Sequence, residues 1–177
     1  DPRLVELILS ESTEVVRHKI GVLVVAHRLG YVLANAGIDH SNVGPSKEGD
    51  LVLLLPSDPD RTCAEIRRRL HLINGAKVGV VINDSHGRAW RNGTVGVALG
   101  AAGIPSLLDK RGSLDLFGLP LKVTQIGFAD ELAAAASLLM GQSGEGQPVV
   151  HIRGLSHGYE RGNAQDLIRA KEQDLFR

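Results

Sequence analysis

The sequence predicts an α+β fold, with mixed or antiparallel sheets and helices packed against them. Several predicted strands follow one another directly along the chain, and strands and helices do not alternate in a repeating unit, which favours α+β over a doubly wound sheet. The 177 residues, of which 43% are hydrophobic and 23% charged, have the size and composition of one globular domain.

Composition excludes several classes of function. Twenty Lys and Arg residues balance twenty Asp and Glu residues, and aromatic residues make up only 3% of the chain. Without a basic surplus or stacking side chains, a nucleic-acid partner is not expected. The single cysteine, Cys63, excludes a disulfide within the chain, and no apolar run reaches the ~20 residues that cross a bilayer. We therefore expect a cytoplasmic protein without a membrane partner.

Apolar spacing predicts a first helix over residues 2–17, with Asp1 as its cap and Pro2 in its first turn. Two short runs rich in Val and Leu, residues 21–26 and 31–34, predict a pair of strands. The remaining predicted strands are residues 51–55, 77–82, 95–103, 121–128 and 149–153. The remaining predicted helices are residues 58–72, 130–140 and 163–176.

Three polar loops follow apolar elements, at residues 35–45, 83–93 and 141–148. Loops held by a rigid scaffold are where binding and catalytic residues collect. The third loop is rich in glycine, and the backbone N–H groups of such a turn suit phosphate oxygens. We expect these three loops to meet at one cleft.

The side chains of these loops suit metal-assisted nucleotide chemistry. Asp39 in the first loop and Asp84 in the second are hard carboxylate donors of the kind that Mg²⁺ or Mn²⁺ prefers. Arg88 and Arg91 in the second loop suit the negative charge of a transferring phosphoryl group, which makes them the candidate catalytic residues.

Each loop also has a simpler structural interpretation. Asp39 can form an Asx turn, Asp84 can cap the turn after its strand, and the glycines of residues 141–146 can end the preceding helix. No Walker-type lysine follows the glycines, which counts against a P-loop. From the residues alone, both interpretations stay open.

At these loops the chain closely resembles the γ-glutamyl ligases that act on the precursor of the deazaflavin coenzyme F-420. The matching pieces are DPRLVELIL at residues 1–9, ANAGID at 34–39, SNV at 41–43, DSHGR at 84–88 with WR at 90–91, Asp109 with RG at 111–112, Asp115 with FG at 117–118, ADELA at 129–133 and MGQ at 140–142. No single piece is specific, but their shared order and spacing are.

The resemblance implies an enzyme that joins L-glutamate to the deazaflavin precursor through a γ-linked amide bond, as GTP is converted to GDP. The implied course is phosphorylation of the acceptor carboxylate to an acyl phosphate, which the glutamate amine then attacks. It also implies two divalent cations, Mg²⁺ or Mn²⁺, at the nucleotide, with K⁺ as a further candidate ion.

Carried onto this sequence, the resemblance implies that Asp39 and Asp84 bind one cation, and that Ser85 and Gln142 help to hold the second. Asn42 and the third loop would contact the nucleotide. The nucleotide-binding residues implied in that loop are Met140, Gly141, Gln142, Ser143, Gly144, Glu145, Gly146 and Gln147.

The resemblance implies two-lobed subunits that form an intertwined homodimer, with residues 1–154 as the main part of the ligase domain and residues 155–177 as a helical tail. The family usually has a further segment before the helix at Asp1, which carries part of the guanine and phosphate site, and the sequence begins without it. Ser85-His86 stands where the family usually has Thr-Phe. His86 therefore keeps a second hypothesis open, a related ligase with another carboxylate acceptor, and the missing segment a third, a non-catalytic metal- or nucleotide-binding module.

Overall fold

The computed structural model describes residues 1–44, 51–155 and 162–175. Its α-helices are α1 (Pro2–Ser10), α2 (Pro59–Asn74) and α3 (Phe128–Met140), and short 3-10 helices lie at Asn35–Gly37, Ala164–Leu167 and Lys171–Gln173. Its strands are β1 (Ser12–Lys19), β2 (Val22–His27), β3 (Val32–Ala34), β4 (Val80–Arg88), β5 (Arg91–Ala102), β6 (Leu108–Asp109) and β7 (Gln125–Ile126). None of the helices in this part of the chain has the length and apolar character needed to cross a membrane.

The strands form small antiparallel sheets, as the α+β prediction requires. In the described part of the chain, β1, β2 and β3 form one sheet in that order, β4 pairs with β5, and β6 pairs with β7. Helices α2 and α3 both pack on the β4–β5 pair. The mixed α+β class is therefore confirmed.

The first predicted helix is wrong beyond its first half. Helix α1 ends at Ser10, and residues 12–19 form a strand whose Val15 pairs with Val25 of β2. Thr13, Val15 and Val16 are β-branched, which favours a strand once a partner strand is available. Val15 and Val16 happen to lie at helical spacing from the apolar residues of α1, which is why the sequence suggested a longer helix.

The second predicted loop is also wrong, because residues 83–88 belong to strand β4. Asp84 pairs with Val97 and His86 with Val95, and the chain turns only at Ala89 and Trp90. Polar residues at the end of a strand predict a loop when the sequence is considered alone, but here β5 satisfies their backbone groups.

Several shorter predictions are also corrected. Residues 51–55 contain a single bridge, from Leu53 to Asp39, and β7 covers only two residues of the strand predicted at 121–128. Residues 149–153 form no strand. Within residues 162–175 the predicted tail helix is replaced by two 3-10 turns, and residue 176 lies outside the described part.

Helices α2 and α3 lie close to their predicted ranges, residues 58–72 and 130–140, and each is two residues longer at one end. The Asp58 side chain accepts the N–H of Arg61 and caps α2, Pro59 occupies the first turn, and Gly75 ends the helix with a left-handed backbone. Helix α3 begins at Phe128 and ends before Gly141.

Carboxylates from the first turns of these helices bind β5 directly. Asp130 of α3 accepts the Ala98 N–H at 2.8 Å, and Asp60 of α2 accepts the Ala101 N–H at 2.7 Å. Asp60 also accepts the Ala164 N–H at 2.8 Å, which ties the last described segment to the same strand. Backbone donors of β5 are thus satisfied by side chains, and the strand is anchored at its buried end.

Candidate functional site

The first site segment follows β3 and is held in an unusual backbone conformation. Asn35 and Ala36 have φ values of 49° and 54°, in the left-handed region that non-glycine residues rarely adopt. Asn35 Oδ1 accepts the Leu23 N–H at 2.9 Å, which ties the turn to β2. Such strained backbone persists where the surroundings hold it, and it is concentrated at functional sites.

This turn presents Asp39 to solvent. The backbone of Asp39 is paired with Leu53, and its Oδ1 accepts both the N–H and the hydroxyl of Ser41, each at 2.7 Å. The Ser41 hydroxyl and N–H hold the pKa of the Asp39 carboxyl below its usual value. Asp39 is therefore a charged oxygen donor with a fixed orientation, and the Asx-turn interpretation is part of how it is held.

The second segment is the polar half of β4. The Asp84 side chain is 35% exposed, and its Oδ1 accepts the Ser85 N–H at 2.7 Å. Its Oδ2 lies 3.5 Å from Nε2 of His86. Asp84 is thus a half-buried carboxylate on a rigid strand rather than a cap on a turn.

The third segment begins where α3 ends. Gly141 has φ 72°, and Glu145 folds back so that its carboxylate accepts the Ser143 N–H at 2.8 Å. This hydrogen bond lowers the pKa of Glu145. The φ of 72° favours glycine at this position, and a Cβ on Gly141 would lie 2.1 Å from Cδ of Glu145 and displace that side chain.

Two hydrogen bonds bring these segments together. Asn42 Nδ2 donates to the carbonyl oxygen of Ser143 at 3.1 Å, which joins the first and third segments. Asn83 Nδ2 contacts Met140 Sδ at 3.6 Å, which joins β4 to the end of α3. These contacts link the first and third segments and place Asn83 of β4 beside the end of α3, while one cleft shared by all three segments stays a prediction.

The remaining predicted residues lie at the margins of this group. Arg88 and Arg91 are paired at the end of the β4–β5 hairpin, both exposed, and Arg88 Nη2 donates to the Asn92 carbonyl oxygen at 3.4 Å. Four residues of extended strand place the backbone of Arg88 about 13 Å from that of Asp84. Exposed positions in the third segment are Gln142, Ser143, Gly144, Glu145, Gly146 and Gln147.

The oxygen donors of this group fit a hard divalent cation bound together with phosphates. Mg²⁺ usually takes one or two protein carboxylates and completes its coordination with waters and substrate phosphates. Asp39 and Asp84 are the carboxylates of this group, and Ser85 and Gln142 carry neutral oxygen atoms that could add to such a site. Across residues 1–44, 51–155 and 162–175 there is no group of three His, Cys, Asp or Glu side chains able to bind a metal without such a substrate.

The sequence did not single out Tyr31 or Asn83 as site residues. The Tyr31 ring meets His86 edge-on, with ring centroids 6.3 Å apart, and its hydroxyl donates to the Leu99 carbonyl oxygen. Tyr31 is one of two tyrosines and begins the apolar run of residues 31–34 that leads into the first polar segment, and Asn83 is an amide at the end of an apolar run. The positions of Tyr31 and Asn83 in the sequence, each beside an apolar run that leads to a polar segment, were the signals that could have indicated them.

Comparisons with known proteins assign the chain to a family. The model of the family described as F420-0:Gamma-glutamyl ligase matches residues 1–154. A protein named Coenzyme F420:L-glutamate ligase in Methanococcus maripaludis strain C6 is 46% identical over 177 residues, covering 100% of this chain and 69% of that protein. Its namesake in Methanopyrus kandleri is 47% identical over 181 residues, covering 100% of this chain and 70% of that protein.

A third relative of the same name, from Methanocaldococcus jannaschii, is 42% identical over 177 residues. The match covers 100% of this chain and 69% of that protein. Similarity of this extent shows that the chain belongs to the F420-0:gamma-glutamyl ligase family. It is a ligase, and the family predicted from its sequence is confirmed.

Proposed function

We propose that the chain is a GTP-dependent amide ligase that adds L-glutamate through a γ-linkage to the precursor of coenzyme F-420. The observation that carries this proposal is the similarity of the whole chain, at 42–47% identity, to relatives named Coenzyme F420:L-glutamate ligase. The contact between Asn42 and Ser143 supports it, because it brings the predicted nucleotide-binding segments together.

The reaction proceeds in two steps. A carboxylate oxygen of the acceptor attacks the γ-phosphorus of GTP, and GDP leaves with the electrons of the broken phosphorus–oxygen bond. The amine of L-glutamate then attacks the acyl carbon, loses a proton, and displaces inorganic phosphate. The first step converts a carboxylate oxygen, a poor leaving group, into a phosphate, which the amine displaces readily in the second step.

The chain's residues have separate roles in this scheme. Asp39 and Asp84 hold one divalent cation, Mg²⁺ or Mn²⁺, with Ser85 and Gln142 on a second, and the cations supply charge neutralisation at the triphosphate. K⁺ remains a predicted further ion. Asn42 and residues 140–147 contact the nucleotide. Arg88 and Arg91, on flexible side chains at the hairpin end, neutralise phosphoryl charge.

The decisive experiment follows oxygen from the acceptor. The full-length protein is incubated with GTP, Mn²⁺, L-glutamate and the deazaflavin precursor labelled with ¹⁸O in its carboxylate. An acyl phosphate transfers one labelled oxygen to inorganic phosphate as the amide forms, and mass spectrometry measures both products. Amide formation without label in phosphate would exclude this intermediate, and GTP and metal binding without any amide would favour the non-catalytic module.

Acceptor choice is tested in the same assay with other small carboxylic acids. The geometry gives the alternative acceptor no specific support, because the His86 side chain is only 12% exposed and faces Asp84 rather than solvent. We expect the deazaflavin precursor to be preferred. Faster turnover of another carboxylate would reverse that assignment.

We further propose that two copies of the two-lobed subunit form an intertwined homodimer. Large apolar side chains are left open to solvent in the isolated chain, Trp90 at 90% and Phe117 at 89% among them. Exposed aromatic surface of this kind is typical of an interface. Sedimentation of the full-length protein should give the mass of a dimer, and a monomer at micromolar concentration would contradict the proposal.

A further inference from the structure

His86 lies on β4 two residues after Asp84, so the two side chains share a face of the strand. The imidazole is 12% exposed and packs edge-on to Tyr31. The Tyr31 hydroxyl donates to the carbonyl oxygen of Leu99, and the Tyr31 ring restrains the imidazole through the edge-on contact.

The Nε2 atom of His86 is buried and forms no hydrogen bond with any of the described residues. Its nearest charged neighbour is Oδ2 of Asp84 at 3.5 Å. A movement of about 0.5 Å would bring the two atoms within hydrogen-bonding distance. A buried ring nitrogen without a partner is costly, so some group is expected to satisfy it when the site is assembled.

The two oxygens of Asp84 have different surroundings. Oδ1 accepts the Ser85 N–H at 2.7 Å, whereas Oδ2 faces His86. A carboxylate held at both oxygens cannot rotate, and each oxygen keeps a lone pair for a cation. Groups that orient a metal ligand in this way raise the affinity of the site although they never touch the metal.

We propose that His86 is a positioning residue, whose Nε2–H donates to Asp84 Oδ2 and holds this carboxylate in the orientation that binds the divalent cation. The inference rests on the proposed function, in which Asp84 is a cation ligand. It assigns His86 a role in metal affinity rather than in the choice of acceptor.

Three substitutions of His86 separate positioning from packing. His86→Phe keeps an aromatic ring against Tyr31 but removes the donor. His86→Gln places an amide N–H near the position of Nε2, whereas His86→Asn reaches only the position of Nδ1. We expect Mn²⁺ to bind about tenfold more weakly to the Phe and Asn variants, within the 10- to 100-fold range of such contacts, and the Gln variant to recover most of the affinity.

The measurement is Mn²⁺ binding by electron paramagnetic resonance, using the full-length protein with GDP and no acceptor, so turnover is not needed. Thermal melts of each variant check that the fold is kept. His18→Phe, at an exposed histidine of β1, is the matched control and should bind Mn²⁺ as the wild type does. Because the two residues act together, His86→Phe should weaken binding little further in an Asp84→Asn background.

Three outcomes would overturn the inference, and they are distinguishable from one another. If Asp84→Asn weakens Mn²⁺ binding but His86→Phe does not, His86 has no positioning role while the proposed site stands. If the wild type itself does not bind Mn²⁺ with GDP, the proposed site fails and the role of His86 fails with it. Equal loss in the Gln and Phe variants would also count against positioning.

Discussion

The side-chain amide of Asn42 donates from Nδ2 to the backbone carbonyl oxygen of Ser143 at 3.1 Å, across 101 residues of chain. Asn42 has φ 53°, a left-handed conformation that Asn and Asp tolerate better than other non-glycine residues. This bond holds the first and third site segments against each other. Loss of this hydrogen bond should therefore weaken the binding of the nucleotide.

Asn42→Asp keeps a residue suited to this backbone but replaces the donor with an acceptor that the Ser143 carbonyl repels. We expect the KM for GTP to rise about fivefold or more, which corresponds to the ~1 kcal/mol of one hydrogen bond, with little change in melting temperature. Steady-state kinetics checks this. An unchanged KM would mean that the bond does not support nucleotide binding.

Asp84→Asn should lower the rate of GTP-dependent amide formation by about 10²-fold or more. The substitution keeps size and one oxygen but removes the charge that binds the cation, and losses of this size follow removal of one preorganised electrostatic contact. The melting temperature should change little, because a half-exposed site residue contributes few core contacts. Arg68→Ala on the exposed face of α2 is the control and should leave the rate unchanged. Wild-type turnover by Asp84→Asn would exclude its role as a ligand.

Gly141→Ala tests the turn at the end of α3. The new Cβ would lie 2.1 Å from Cδ of Glu145, and the alanine would have to adopt φ 72°. Glu145 must therefore move and release the Ser143 N–H. We expect weaker binding of a fluorescent GDP analogue, measured by titration. Gly87→Ala, outside the segment that contacts the nucleotide, is the control, because its Cβ would meet nothing within 4 Å. Equal affinities of the two variants would contradict this account of the turn.

Gly96→Ala should destabilise the fold through overpacking between β5 and α3. The new Cβ would lie 1.9 Å from Oγ of Ser137 and 2.4 Å from the carbonyl oxygen of Ala133. Such overpacking typically costs about 1–3 kcal/mol of stability. We expect the free energy of unfolding of this variant, measured with denaturant, to fall by an amount in this range. Gly87→Ala in the same hairpin has open space around its Cβ and serves as the control. Equal stability of the two variants would show that α3 can move away from β5 at little cost.

His27 should make stability depend on pH. Its side chain is buried, its Nδ1 accepts the Leu29 N–H at 3.0 Å, and its Nε2 lies 3.3 Å from Glu11, which also binds Arg28. Burial lowers the pKa of His27 below 6.5, against the opposing effect of Glu11. The unfolded chain therefore takes up a proton first, so the contribution of neutral His27 is complete above about pH 6.5 and declines as the pH falls through that value.

His27→Asn keeps an acceptor near Nδ1 but does not titrate. We expect a lower melting temperature at pH 8 and a smaller further loss between pH 7.5 and pH 5.5 than in the wild type. His18→Asn, at an exposed position, should keep the wild-type slope. Parallel curves for wild type and His27→Asn would show that His27 does not carry the dependence.

The features that the sequence alone determined are those with a local cause. The start of α2 next to Asp58 and the end of α3 at Gly141 both follow from residues within one turn of the boundary. The antiparallel pair of β2 and β3 was predicted from neighbouring runs of Val and Leu. The family was also readable, since its motifs keep their order and spacing along the chain.

Tertiary structure decided what depends on distant partners. Val15 lies in a strand because Val25 pairs with it, and Asp84 lies in a strand because β5 returns beside β4. The same holds for the contact of Asn42 with Ser143 and for the approach of His86 to Asp84 within a packed site. Apolar periodicity and capping residues carry information about the nearby chain only. The contacts between distant residues depend on loop closure and on surfaces that exist only after the helices pack on β5.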